Sequence, residues 1–369
     1  PLEGVLESAT DHKGGTSTYT DKATCTICGH KYGSLIPIEY SLKDGFSSEV
    51  LTSIFGSAVT IDNASCSESA ITAGINSGKL TVEGNYAFDT PIEFTLTAGT
   101  VTKTVKLKLY TDIITTPDEV KDLIILNGGG TAGNFMNNNG YYILGNDINL
   151  NYQDFNQDPW SIRNASFTGT LDGRGHVINN YLVQKYGLFG YISDKAVIKN
   201  VAITNAKFGC SQGNPLGSGV LAFGIKSTSK ATAPIISDVY VQVVDLNGQS
   251  GTVGIANERK GGYEKIENCI FEVLCTNTTD NSGSLFMYDS SRLSSAENCQ
   301  VSNTYVISTL RITSDTGFDA SNKNPANIIA GFIRYDSYEE MAGVVSNDYS
   351  SFSTEYWNIT EKGYPLWKN

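Results

Sequence analysis

A glycine that returns at a constant interval limits this chain's possible folds more than any other feature. Gly187-Leu-Phe-Gly-Tyr-Ile, Gly219-Val-Leu-Ala-Phe-Gly, Gly251-Thr-Val-Gly-Ile-Ala and Gly283-Ser-Leu-Phe-Met-Tyr each open an apolar, β-prone run, and successive glycines lie 32 residues apart. A fifth copy, Gly331-Phe-Ile-Arg-Tyr, follows after 48 residues. A fixed period in this range marks stacked repeats, and short apolar runs between turn residues mark strands instead of helices. Strands stacked coil upon coil predict a right-handed parallel β-helix.

Each coil carries a second strand: Ile198-Lys-Asn-Val-Ala-Ile, Ile236-Ser-Asp-Val-Tyr-Val, Ile266-Glu-Asn-Cys-Ile-Phe and Ala296-Glu-Asn-Cys-Gln-Val. Their polar members Asn200, Asp238, Asn268 and Asn298 are expected to lie above one another, with Asn180 of His176-Val-Ile-Asn-Asn-Tyr as an earlier rung. Asn accepts the left-handed backbone of a sharp corner, and stacked amides hydrogen-bond up a ladder. Val201, Val239, Cys269 and Cys299 would then form an apolar column; adjacent coils bring the two cysteines within disulfide range, but side chains pointing the same way favour buried thiols.

With these motifs in view the chain resembles a known family. Tyr141-Tyr-Ile-Leu-Gly-Asn-Asp-Ile-Asn-Leu150, Phe167-Thr-Gly-Thr-Leu-Asp-Gly-Arg-Gly-His-Val-Ile178, Gly187-Leu-Phe-Gly190 and Ile198-Lys-Asn-Val201 look like the GLUG-type β-helix module. That module occurs in secreted and wall-attached bacterial proteins, including the non-catalytic part of IgA-specific metallopeptidases. The resemblance covers roughly residues 114 to 369 and implies a fold and an extracellular location more than an activity.

A net charge of −12 argues against nucleic acid, which needs clustered Lys and Arg, and against an anionic membrane surface. No apolar run approaches the ~18 residues of a membrane span, and residues 1–20 carry no signal-peptide core. The expectation is a mature or excised, monomeric fragment of a larger exported protein.

Taken in order, residues 1–33 form a Cys/His leader: Asp11-His-Lys-Gly-Gly-Thr-Ser-Thr-Tyr19, then Cys25-Thr-Ile-Cys-Gly-His-Lys-Tyr-Gly33. This resembles a short module of Gram-positive gut bacterial surface proteins, in which Cys and His ligands suit a structural zinc. Tyr19 stands where that module has its first Cys. His12, Cys25, Cys28 and His30 are the candidate ligands; a CxxC disulfide and a metal-free leader are the alternatives. Residues 34–112 read as short alternating strands with a hairpin at Ala98-Gly-Thr100, which suits a small immunoglobulin-like sandwich.

Thr116-Pro-Asp-Glu119 is a capping box, so a helix is expected over about 117–126, opening a β-helix unit over 113–369 and covering its apolar end. The 16-residue surplus before Gly331 should protrude within Ser302–Asn327, and the tail Tyr356 to Trp367 should close the far end of the stack.

Gly209-Cys-Ser-Gln-Gly213 matches a hydrolase elbow, but no His follows His176, and a coil corner explains the glycines. Gly219 to Ser227 nearly matches a phosphate loop, with a residue between the second Gly and Lys226; the periodic strand accounts for it. HExxH is absent, so the peptidase activity of larger relatives does not reside here. His176 reads as corner packing. Asp147, Asn149 and Asn151 share one strand face and could hold calcium or bond along the coil edge.

The enzymatic rival is a β-helix polysaccharide lyase or glycoside hydrolase, which needs clustered carboxylates that recur at one coil position; Asp289, Asp315, Asp319 and Asp336 do not. The favoured expectation is a non-catalytic adhesin that binds a host glycoprotein, immunoglobulin or glycan, immunoglobulin entering only through the resembled family; a passive stalk is the third reading. Contact candidates are Phe318, Asn322, Asn324, Tyr335 and Tyr338, since aromatic and carboxamide groups suit such ligands.

Overall fold

The computed structural model describes residues 12–126, 139–155, 166–183, 187–209, 219–245, 252–260, 263–274, 284–289, 300–308, 332–335, 337–342, 349–361 and 364–368. The chain is mainly β and divides into two compact units, Pro1–Ile113 and Ile114–Asn369.

In the first unit Pro91–Ala98 and Val101–Tyr110 form the expected hairpin, with Ala98 opposite Val101 and Gly99 at φ 57° in the turn. Asn63–Cys66 joins it antiparallel, while Ile38–Ser41 adds to Val101–Tyr110 in parallel. A separate hairpin pairs Ile71–Asn76 with Lys79–Gly84. Phe94, Leu96, Val105, Leu107 and Leu109 are fully buried beneath the sheet.

Two features depart from the expected sandwich. The edge pair is parallel, and Ser48–Phe55 is a helix. Ser47 caps it by accepting from the Val50 N–H, Gly56 ends it at φ 83°, and Ile54 is buried. Those local signals, with Val50, Leu51, Ile54 and Phe55 on one helical face, outweigh the β character of the surrounding sequence.

In the second unit the chain alternates between two parallel sheets, a β-helix-like coil. One sheet stacks Ser166–Phe167, Phe189–Ser193, Ala222–Lys226, Thr252–Lys260 and Ser284–Asp289. The larger one runs from Tyr141–Leu144 through Thr170–Asp172, Val197–Phe208, Ile235–Asp245 and Ile270–Val273 to Thr304–Ser308 and Phe332–Tyr335. The register aligns Tyr142, Leu171, Ile198, Ile236 and Ile266 in one interior column, all buried. A second column is Ile178, Ile203, Val241, Phe271 and Val306. Each such side chain contributes about 1.5–3 kcal/mol by leaving water.

The helix Pro117–Leu126 forms with the expected cap: the Glu119 N–H donates to Thr116 Oγ1 at 3.3 Å, and Glu119 Oε2 accepts from the Thr116 N–H at 3.0 Å. Val120 and Leu123 enter the main core of the coil beside Ile114 and Tyr142.

The constant interval does not persist through the later coils. Gly187 and Gly219 do stack: a Cβ on Gly187 would stand 2.4 Å from the Gly219 carbonyl. Ala222, however, pairs with Ala256, two residues beyond a strict 32-residue interval, because the turns absorb insertions while the inward side chains fix register. Gly251, Gly283 and Gly331 lie outside the described residues. The strand after Gly331, Phe332–Tyr335, pairs with Thr304–Ser308 in the larger sheet, so it is no fifth copy of the glycine strand. Thr304–Ser308 is itself part of the stack, and residues 309–327, the rest of the range expected to protrude, lie outside the described residues.

The ladder also changes membership. Asn200, Asp238 and Asn268 align and share φ of 55°, 51° and 54°. The next rung is Asn303 (φ 46°), since Glu267 pairs with Ser302; Asn298 lies outside the described residues. Asn180 belongs to another corner, above Asn205, because Asn179 pairs with Thr204. The apolar column therefore reads Val201, Val239, Cys269 and Thr304, not Cys299, which lies outside the described residues. Cys269 is a free, fully buried thiol, its pKa raised by burial.

The C-terminal segment does not close the end of the stack. It runs along the side of the larger sheet: Trp367 Nε1 donates to the Gly175 carbonyl (3.2 Å), Trp357 Nε1 to Asp238 (3.2 Å), and Asn268 and Asn303 bond to Ser351. Outward positions Ala202, Ile270 and Tyr305 pack with Met341, Tyr349, Phe352, Trp357 and Trp367 in a second core. An apolar outer stripe and corner amides both need partners, and one strap satisfies them.

Candidate functional site: a polar groove beside the strap

Outward residues of the larger sheet fall into two columns. One holds Val177, Ala202, Tyr240, Ile270 and Tyr305, mostly covered by the strap. The other holds Asn149, Asn179 and Thr204 in register, and beyond them Gln242 lies opposite a bulge formed by Thr204 and Asn205. Where the two columns emerge from under Leu366 and Trp367, they line a groove of about 550 Å³ with Asp147, Ile148, Asn205 and Tyr240. That volume lies within the range of small-ligand sites.

The groove's side chains are held by one another. Asn179 Oδ1 accepts from Thr204 Oγ1 (3.0 Å) and Asn205 Nδ2 (2.9 Å), and Asn149 Oδ1 accepts from Asn180 Nδ2 (2.9 Å). Gln242 Nε2 donates to Glu272 (2.9 Å) and to the Tyr240 hydroxyl (3.1 Å), and that hydroxyl donates to Glu272. Burial, with Tyr338 and Glu272 nearby, raises the Tyr240 phenol, which stays a neutral donor. Asp147 Oδ1 meets His176 Nδ1 and the Val177 N–H, each at 3.0 Å. Such cross-coil bonds set these side chains before any ligand arrives.

Asp147 is the sole carboxylate lining the groove among the described residues. Glu272 is buried and engaged by Tyr240 and Gln242. The arrangement can hydrogen-bond a polar ligand, and among the described lining residues there is no second carboxylate to flank a glycosidic bond with Asp147.

In the leader, the short strands Ala23–Thr24 and Lys31–Tyr32 pair and carry the CxxC turn between them. His12, Cys25 and Cys28 bring their donor atoms within 4.8 Å of one another, with Cys28 Sγ 3.5 Å from His12 Nδ1. The Cys25 thiol is lowered to about 6, first by the Cys28 backbone N–H, then by further backbone groups and His12. Gly15 is required here, since a Cβ would lie 2.3 Å from the Thr24 carbonyl at φ 77°. The fourth expected ligand, His30, stands outside this group and stacks on His12 at 5.1 Å. Tyr19 packs against the core of the first unit.

Of the expected contact residues, Tyr335 is 6% exposed and stacks on Tyr305, and Tyr338 stacks on Tyr364 at 5.1 Å. Both rings are committed to packing between sheet and strap, which corrects their assignment to a ligand face. Phe318, Asn322 and Asn324 lie outside the described residues. Sequence reasoning missed the groove, although its signal was present: the lining residues Tyr240 and Gln242 follow the corner Asp238 at two and four residues, as Ala202 and Thr204 follow Asn200.

No family model matches the chain, and no curated protein matches it. A solved structure described as "a putative immunoglobulin A1 protease from Bacteroides ovatus" aligns at 15% identity and TM-score 0.33, covering 69% of this chain and 91% of that one. A likeness of that size carries no argument about fold or activity. Among the described residues no helix is long and apolar enough to cross a membrane.

Proposed function

We propose that this chain is a non-catalytic, extracellular binding module of a Gram-positive bacterial surface protein, a GLUG-type β-helix that recognises a host glycan, glycoprotein or immunoglobulin. The observation that carries this reading is the groove: carboxamides and aromatic groups are fixed on a rigid sheet, with one carboxylate among the described lining residues, Asp147, held by His176 and the Val177 N–H. Surface location and organism type rest on the sequence motifs alone. Immobilised glycans, mucin and immunoglobulins presented to the purified chain test it, and binding to none of them leaves the passive stalk. New unsaturated or reducing ends in acidic polysaccharides would establish the enzyme instead.

A second reading concerns the leader. His12, Cys25 and Cys28 fit three corners of a zinc site, and His30 would complete it by turning its ring away from His12. Fewer than about 0.2 zinc per purified chain would remove the proposal, since a structural site is loaded stoichiometrically.

A further inference from the structure

Resting on the binding reading above, we infer that the groove is a track for one linear, uncharged polysaccharide chain lying along the coil axis. Three observations point to that ligand class.

The first is periodicity. Asn149, Asn179 and Thr204 occupy one register position on three successive coils, and on the fourth Gln242 lies opposite the bulge formed by Thr204 and Asn205. Parallel strands lie about 4.8 Å apart, close to the advance of one sugar residue along an extended chain. A peptide that adds a strand needs a free backbone edge; Val177–Asn179, Val197–Phe208 and Ile235–Asp245 are paired on both sides, and only the two-residue strand Ile148–Asn149 pairs on one.

The second is the set of hydrogen-bonding atoms left over. Asn149 Nδ2 and Asn179 Nδ2 are donors, and Asn205 Oδ1 and the second oxygen of Asp147 are acceptors. Among the described residues none of these atoms has a partner. Sugar hydroxyls both donate and accept, so they match a mixed set, whereas an anionic ligand would need donors alone.

The third is charge. Among the described residues no Lys, Arg or His lines the groove, and its one carboxylate is Asp147, while the Tyr240 phenol stays neutral. Uronates, sialic acids and sulfated chains would enter against that carboxylate without a counter-charge. Trp367 supplies an apolar flank with Leu366, and its indole is immobilised by the Gly175 carbonyl and by Tyr356 stacked at 13°. Side chains fixed in advance lose little entropy when a ligand arrives.

Titration calorimetry of the full chain with neutral gluco-, manno- and galacto-oligosaccharides of increasing length, beside an oligogalacturonate, tests the inference. At least one neutral series should bind, with affinity rising to about four residues and then levelling, and the oligogalacturonate should not compete. Asn205→Gly keeps the left-handed backbone of φ 52° and removes the acceptor; Asn149→Ala removes a donor. Each should weaken binding about five- to tenfold while the thermal midpoint shows the variant folded. Absence of neutral-sugar binding at 10 mM, equal binding of the acidic oligomer, or folded variants with unchanged affinity would each overturn it. Binding to a glycoprotein or immunoglobulin without any of these sugars would overturn this ligand class and leave the broader binding reading standing.

Discussion

Asn200, Asp238 and Asn268 hold a backbone conformation that most side chains resist by about 1–2 kcal/mol, and they hold it on adjacent coils. Asn200 also donates to Asp172 at 2.9 Å. Asn200→Ala should therefore cost about 2 kcal/mol of stability, and Asn200→Gly, which keeps the backbone free to turn left, about half of that. Urea unfolding of both variants checks the order. Asp238 is the acidic rung. Burial raises its folded pKa, so it is neutral in both states below the unfolded value of about 3.9, and the penalty develops as pH rises towards the folded value. Asp238→Asn keeps an oxygen for Trp357 and should raise stability at pH 7 but not at pH 3. Cys25 behaves oppositely: its thiol is lowered to about 6 but only 3% exposed, so its alkylation should be slow and should stop rising with pH above about 6 instead of about 9. Mass spectrometry of the labelled peptide reads this directly, and Cys269 should stay unlabelled until the protein unfolds, because it is 0% exposed.

Among elements, the helix Pro117–Leu126 and the hairpin at Ala98–Val101 were legible in advance, because caps and two-residue turns are written in a few adjacent residues. The strap was legible as an apolar, proline-bearing tail but not in its placement. Its docking depends on which outward residues of distant strands are apolar, and Tyr240, Ile270 and Tyr305 come together only through sheet register. Trp357 is its anchor, 1% exposed, edge-on to Phe352 at 5.0 Å and to Trp367 at 4.9 Å. Trp357→Ala should cost about 3–5 kcal/mol. It should also loosen Trp367, and so weaken groove binding more than a comparable cavity elsewhere in the coil; calorimetry and titration on the same sample separate the two effects.

At the scale of the whole molecule, two units with separate cores predict two thermal transitions, one from Pro1–Ile113 and one from Ile114–Asn369, and a scanning calorimeter should resolve them. Trp357→Ala should move the second transition alone. By itself, the order of residues determined what is local or periodic: stacked parallel strands, left-handed corners at Asn200, Asp238 and Asn268, a capped helix, and a leader with His12, Cys25 and Cys28. Only the tertiary structure decided that Asn303 and not Asn298 continues the ladder, that Tyr335 and Tyr338 are packed away, and that Asn149, Asn179, Thr204 and Gln242 line one groove. Turn and cap chemistry acts over a few residues and can be read from neighbours in the chain. Register across coils is set by which side chains fill the interior, and insertions between coils erase any fixed spacing that would reveal it.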